Sequence, residues 1–272
     1  MSIPPPAEVR RIALGSLVLS AFILPARHLD QVVRIAGIPL AAMIGLGLAT
    51  AAAESNGNRP MAWTLFAGYL LATVWLAVTT HRMVLLDAPG SPTRFDGPAL
   101  RRLALFALTA AALWALFHFA RIVTISASLA LLGSRYVPAG ETPPTPAVDP
   151  QLLIDIVDYV ASAAMYLVVG RLALLLPAAA LDRGARVSGV WRMTRGNAWR
   201  LAVVVGALPW ALNWFLSLVE LDTPMEWALM HVVVTLTVLI EVVAVSLAYR
   251  ELTTGFTDSS AAPAPPPTGP RA

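Results

Sequence analysis

Residues Trp227–Tyr249 read WALMHVVVTLTVLIEVVAVSLAY, 23 residues that carry one carboxylate, Glu241, and stop at Arg250. At 1.5 Å of rise per residue a helix of that length reaches across the ~30 Å hydrocarbon core of a bilayer. Lipid offers no partner to backbone N–H and C=O groups, so a run of this kind is a helix that bonds to itself. Five further stretches repeat the pattern: Ile35–Ala53, Met61–Thr80, Leu103–Thr124, Ile156–Leu181 and Leu201–Val219. Polar or turn residues bound them, as in Glu54-Ser55-Asn56-Gly57-Asn58-Arg59-Pro60. The expected fold is an all-α, polytopic transmembrane helical bundle of six spans.

The composition agrees. The 272 residues are 57% hydrophobic and 13% charged, with a mean hydropathy of +0.70. A soluble domain is about 45–50% apolar and about a quarter charged. An ordinary soluble enzyme, a disordered chain and a nucleic-acid binder are excluded. The absence of cysteine removes disulfide scaffolds, thiolate metal sites and cysteine nucleophiles.

Orientation comes from the arginines, which supply all 19 basic residues. With both ends of the bundle inside, positions 10, 11, 27, 34, 82, 94, 101, 102, 183, 186, 192, 195, 200, 250 and 271 are cytoplasmic, while Arg59 and Arg135 are outside. Arg121 and Arg171 fall within spans. Such a bias places the amino and carboxyl termini in the cytoplasm. Residues 1–34 are then a cytoplasmic amino terminus, 35–250 the membrane domain, and 251–272 an Ala/Pro-rich tail expected to be disordered.

Two short elements stand apart from the spans. Ile12–Ala26 is apolar but brief, and Pro25 stops it; the reading favoured here is an interfacial amino-terminal helix, with a seventh crossing as the alternative. Between spans four and five, Val187, Val190, Trp191, Thr194 and Ala198 recur at helical spacing among Arg183, Arg186, Arg192 and Arg195. That pattern suits a helix at headgroup level, and a solvated charged elbow is the simpler alternative.

Ionisable groups inside spans mark the candidate sites, because burying them in lipid is costly. Counted along straight helices, Arg171 and Glu241 lie at matching depths, so they are a candidate buried ion pair. His118, Arg121, Asp158 and His231 form a candidate outer-leaflet polar cluster. His81, Arg82, Trp191, Arg192, Arg195, Asn197, Trp199 and Arg200 are candidate headgroup contacts at the inner interface. The small-residue rows Ala41/Gly45/Ala49 and Ala111/Ala115 are candidate helix–helix contacts. His81 with Asp87 and Asp96 is the sparse set on which an enzyme would have to rest. No catalytic motif, metal-ligand spacing or cofactor fingerprint is present, so no cofactor and no metal are expected.

Three stretches together carry a resemblance. They are His81-Arg82-Met83-Val84-Leu85-Leu86, Arg171-Leu172-Ala173-Leu174-Leu175-Leu176-Pro177, and the run from Val190-Trp191-Arg192-Met193-Thr194 through Asn197-Ala198-Trp199-Arg200-Leu201. The set resembles uncharacterised six-span inner-membrane proteins of bacteria, similar in layout to the membrane domain that precedes some glycerophosphodiester phosphodiesterase catalytic domains. It covers most of residues 10–250 and implies a multi-pass protein of the bacterial inner membrane. The 272 residues hold no such catalytic domain, so the resemblance carries no activity. The expected function is a non-enzymatic membrane component whose partners are the phospholipid bilayer, other membrane proteins or a second copy. The alternative is a small-solute or lipid transporter using Arg171, Glu241 and Asn213 in spans four to six.

Overall fold

A computed structural model describes residues 11–86, 97–133, 150–184, 186–218 and 223–258. Every regular element among them is helical. In chain order these are α1 (Leu14–Arg27), α2 (Leu29–Ser55), α3 (Arg59–Leu85), α4 (Gly97–Gly133), α5 (Pro150–Leu172), α6 (Leu175–Ala180), α7 (Val187–Met193), α8 (Ala198–Ala202), a π-helical turn (Val203–Ala207), α9 (Leu208–Ser217) and α10 (Pro224–Asp258). Six spans are long and apolar enough to cross a membrane: α2, α3, most of α4, α5 continued into α6, the α8–π–α9 run, and α10. The protein is a multi-pass helical membrane protein.

Local chemistry fixes the ends. The α2–α3 hairpin turns at Gly57, whose φ of +70° a side chain would strain. Asn58 then caps α3 by accepting from the Met61 amide at 3.3 Å, and Pro60 occupies the first turn, where no N–H is needed. At the start of α10 the Thr223 amide donates to Glu226 at 2.7 Å and the Glu226 amide donates back to Thr223 Oγ1 at 3.3 Å, a reciprocal cap.

Prolines break two spans. Pro177 has no N–H to give the Ala173 carbonyl, which accepts from the Leu176 amide at 3.0 Å instead. The chain turns at Ala173–Leu174 and restarts as α6. Pro209 likewise leaves the Val205 carbonyl without its helical donor, and the helix widens over Val203–Ala207, where the Leu208 amide reaches back to Val203.

The two broken spans fit together at glycines. A Cβ on Gly170 would stand 3.0 Å from the Leu201 backbone, and a Cβ on Gly206 would enter the ring of Tyr166. Residues 166 and 170 share one face of α5, and the π-helical turn brings 201 and 206 to meet it. Small residues allow such approach where lipid supplies no hydrophobic drive between helices. The rows expected for this role do not serve it. Ala41, Gly45, Ala111 and Ala115 are exposed and Ala49 is half-buried, while Gly47 of α2 makes room for the His231 ring.

The core gathers Met43, Leu76, Leu174, Leu201, Leu239, Val243 and Ala248 from α2, α3, the α5–α6 turn, α8 and α10. Against it lies α1, with Leu17 and Ala21 buried on α10 and the other side of the helix facing the π-helical turn. Its 14 residues span about 21 Å, too short for a crossing. The last helix runs past Arg250 to Asp258 with Leu252 buried, so the boundary expected at 251 falls inside a helix and not at the start of a loose tail. Residues 1–10 and 259–272, both expected to be disordered, and the proline-rich segment 134–149 lie outside the described set.

Gly206→Ala is expected to lower stability by about 1–3 kcal/mol, because the ring of Tyr166 has nowhere to go. Thermal unfolding in detergent would show this, and Tyr166→Ala in the same chain should recover part of the loss.

Candidate functional site

The end of the bundle that carries the elbow holds buried His81, Thr194, Asn197 and Ser246, each hydrogen-bonded, and Thr80, whose hydroxyl finds no partner among the described residues. Arg171, in the last turn of α5, donates from Nε to Thr194 Oγ1 at 2.8 Å and from a terminal nitrogen to the Trp191 carbonyl. Its guanidinium lies 3.6 Å from the centre of the Trp191 ring. Thr194 is fully buried and its hydroxyl donates a hydrogen bond to the Val190 carbonyl at 2.9 Å. Three contacts from one cation therefore fasten α7 to α5. Gly196, at φ +79°, reverses the chain after α7. The next residue, Asn197, is fully buried and accepts from the Ile12 amide at 2.9 Å.

This network answers the charge problem of Arg171 differently from the expected ion pair. The structure does not bring Arg171 to Glu241; among the described residues the ion pairs are Arg102–Asp182 and Arg121–Asp158. Two physical reasons account for it. Equal depth was counted along straight helices, whereas the chain turns below Arg171 and the elbow folds back up to meet it. Second, α10 packs on α1, α2 and α3 while α5 packs on α4 and α8, and the π-helical turn touches both. Glu241 lies within electrostatic reach of Tyr166, a turn and a half before Arg171 on α5.

The clamp decides which candidate headgroup contacts face out. Trp191, Arg192, Arg195 and Trp199 are exposed, and Arg200 sits 4.6 Å over the Trp199 ring while donating to the Gly196 carbonyl. Arg82 is half-buried and donates to Ala180 at 3.4 Å, behind the Arg102–Asp182 pair at 3.8 Å. Asn197 and His81 are interior groups and cannot touch headgroups. His81 is 1% exposed, its Nδ1 is 2.7 Å from Ser246 Oγ, and Phe106 lies beside the ring. Ser246 donates to Val242 at 2.7 Å, which leaves its oxygen to accept from the His81 Nδ1–H. The histidine ties α3 to α10. Asp87 and Asp96, the acids needed for an enzyme at His81, lie outside the described residues, as does the side chain of Asn213.

The residues expected to form an outer-leaflet cluster separate. Arg121 and Asp158 form a two-bonded pair between α4 and α5, the second bond at 2.6 Å. His118 lies tilted beside Trp114 and edge to face with Phe117 on α4, whereas His231 fits the notch at Gly47 on α2. The four residues do not make one site. Among the described residues no group of three His, Asp or Glu side chains is placed to hold a metal ion.

Sequence reading singled out the elbow and missed how it is held. It placed Thr194 in the helical spacing of the elbow, gave Asn197 as a headgroup contact and saw Arg171 as a partner for Glu241. The available signal was spacing, because Arg171 and the Trp191–Asn197 run bracket one short connector. No protein-family model, curated protein or solved structure matches this chain.

Thr194→Val preserves shape and removes the acceptor that Arg171 uses. We expect a loss of about 1–3 kcal/mol and faster trypsin cleavage after Arg192 and Arg195, with Thr194→Ser close to the parent.

Proposed function

We propose that the protein is a non-enzymatic component of a bacterial inner membrane, with both termini cytoplasmic, that works by binding lipid and partner membrane proteins at its inner face. The observation that carries this reading is the Arg171 clamp. It holds the elbow rigidly against α5, so that Trp191, Trp199, Arg192 and Arg195 are exposed together. Indole rings settle at the headgroup level, and each arginine near an anionic surface contributes about 1 kcal/mol. The arginine bias and the resemblance to six-span bacterial inner-membrane proteins support the location and orientation.

One observation favours a second reading, a small-solute or lipid transporter. Spans four and five are both interrupted and lie against each other, and discontinuous helices are where transporters place their ligands. In this reading Tyr166, the π-helical turn and Glu241 would line the path.

The lack of cysteine makes the test direct, since each introduced thiol reports without background. An impermeant maleimide should label Ser55→Cys in intact cells, and Ser188→Cys in the elbow only after permeabilisation. Glu241→Cys should stay unlabelled in both conditions. Elbow labelling from outside would reverse the orientation, and aqueous labelling at position 241 would select the transporter.

A further inference from the structure

The turn end of the α2–α3 hairpin, far in sequence from the elbow, carries a cleft of about 640 Å³ lined by Glu54, Gly57, Arg59, Ala62, Trp63 and Phe66. That volume lies within the range of small-ligand sites, roughly 300–1,000 Å³. Glu54 sits in the last turn of α2 and Arg59 opens α3, so opposite charges border one space. Neither forms an ion pair among the described residues, although such pairs exist elsewhere in the chain. Trp63 meets Phe66 edge to face at 6.1 Å and is 70% exposed, leaving an indole surface free beside the charges. Gly57 adds no side chain to this space, and a Cβ there would meet nothing within 4 Å.

Height in the membrane narrows the ligand. The cleft is at the end of two spans, where aqueous headgroups begin, and the exposed Leu70 and Leu71 continue its helix toward the bilayer interior. A purely anionic headgroup would meet Glu54 and a purely cationic one Arg59. A headgroup bearing both a phosphate and an ammonium satisfies the two charges together. The carboxylate takes the ammonium hydrogens, the indole face attracts the same cation, and the guanidinium donates to phosphate oxygens.

We infer that this cleft binds a zwitterionic aminophospholipid, with the ammonium between Glu54 and Trp63 and the phosphate at Arg59. The acyl chains lie along the exposed face of α3. The site rests on the membrane reading alone, and neither the elbow nor the sidedness of the termini enters into it.

Native mass spectrometry of the detergent-purified protein tests the site, with phosphatidylethanolamine and phosphatidylglycerol of matched chains added in equal amounts. The parent should carry about fivefold more of the ethanolamine lipid, the factor one exposed cation–π contact supplies. Glu54→Gln and Trp63→Leu should each bring the ratio toward one, and Arg59→Gln should reduce both adducts. All three positions are exposed, and size-exclusion profiles and unfolding midpoints confirm intact folding. Equal adducts on the parent, or an unchanged ratio in Glu54→Gln, overturns the site. Water-soluble phosphoethanolamine in excess should leave the lipid adducts in place, and full competition would overturn the lipid as the source. A chain that stays soluble without detergent would instead remove the membrane reading itself, which separates the two failures.

Discussion

A backbone amide or carbonyl left without a partner in hydrocarbon costs several kcal/mol, and that constraint governs this molecule. An unbroken helix meets it automatically, as α3 does and α10 does over most of its length, and α2 runs on through Pro39 without a break. Spans four and five do not, because Pro177 and Pro209 each remove a donor inside the apolar region. The structure answers by rerouting hydrogen bonds locally, to Ala173 in one case and to Val203 in the other. It also packs the π-helical turn against α5 at Tyr166 and buries the Ala173–Leu174 turn, so that protein rather than lipid covers much of the irregular backbone.

The same economy extends to the polar side chains. Arg171, which would be costly beside lipid, is used to fasten the elbow, and its three contacts all lie on α7 and Thr194. His81 and Ser246 bond to each other between α3 and α10. Asn197 reaches the amino-terminal segment at Ile12, and Glu251 accepts from the neighbouring Ala13 amide at 3.3 Å. These three contacts link segments that are remote in sequence, so the elbow end of the bundle is joined by polar contacts. At the opposite end Arg121 and Asp158 make such a link, and small residues and aromatic rings contribute to the fit.

Against this background the functional reading concerns surfaces. The elbow presents arginine and tryptophan at one end of the spans, and the hairpin cleft presents a carboxylate, a guanidinium and an indole at the other. Both suit contact with phospholipid headgroups through different charge patterns.

Hydropathy and the distribution of arginine were enough to determine the six spans, the all-helical class and the arginine-rich elbow, because lipid imposes its rule on each segment separately. What the chain could not reveal by itself was azimuth, which only packing settles. Straight-helix counting matched Arg171 to Glu241 in depth, yet the turn at Ala173–Leu174 and the interposed π-helical turn direct the arginine to Thr194. It grouped His231 with His118, but a notch at Gly47 drew the ring to α2. It also marked Gly45 as the packing glycine when Gly47, two residues on and facing a different side, makes the contact. Residue type tells how costly a group is in lipid; only the assembled bundle decides which neighbour relieves that cost.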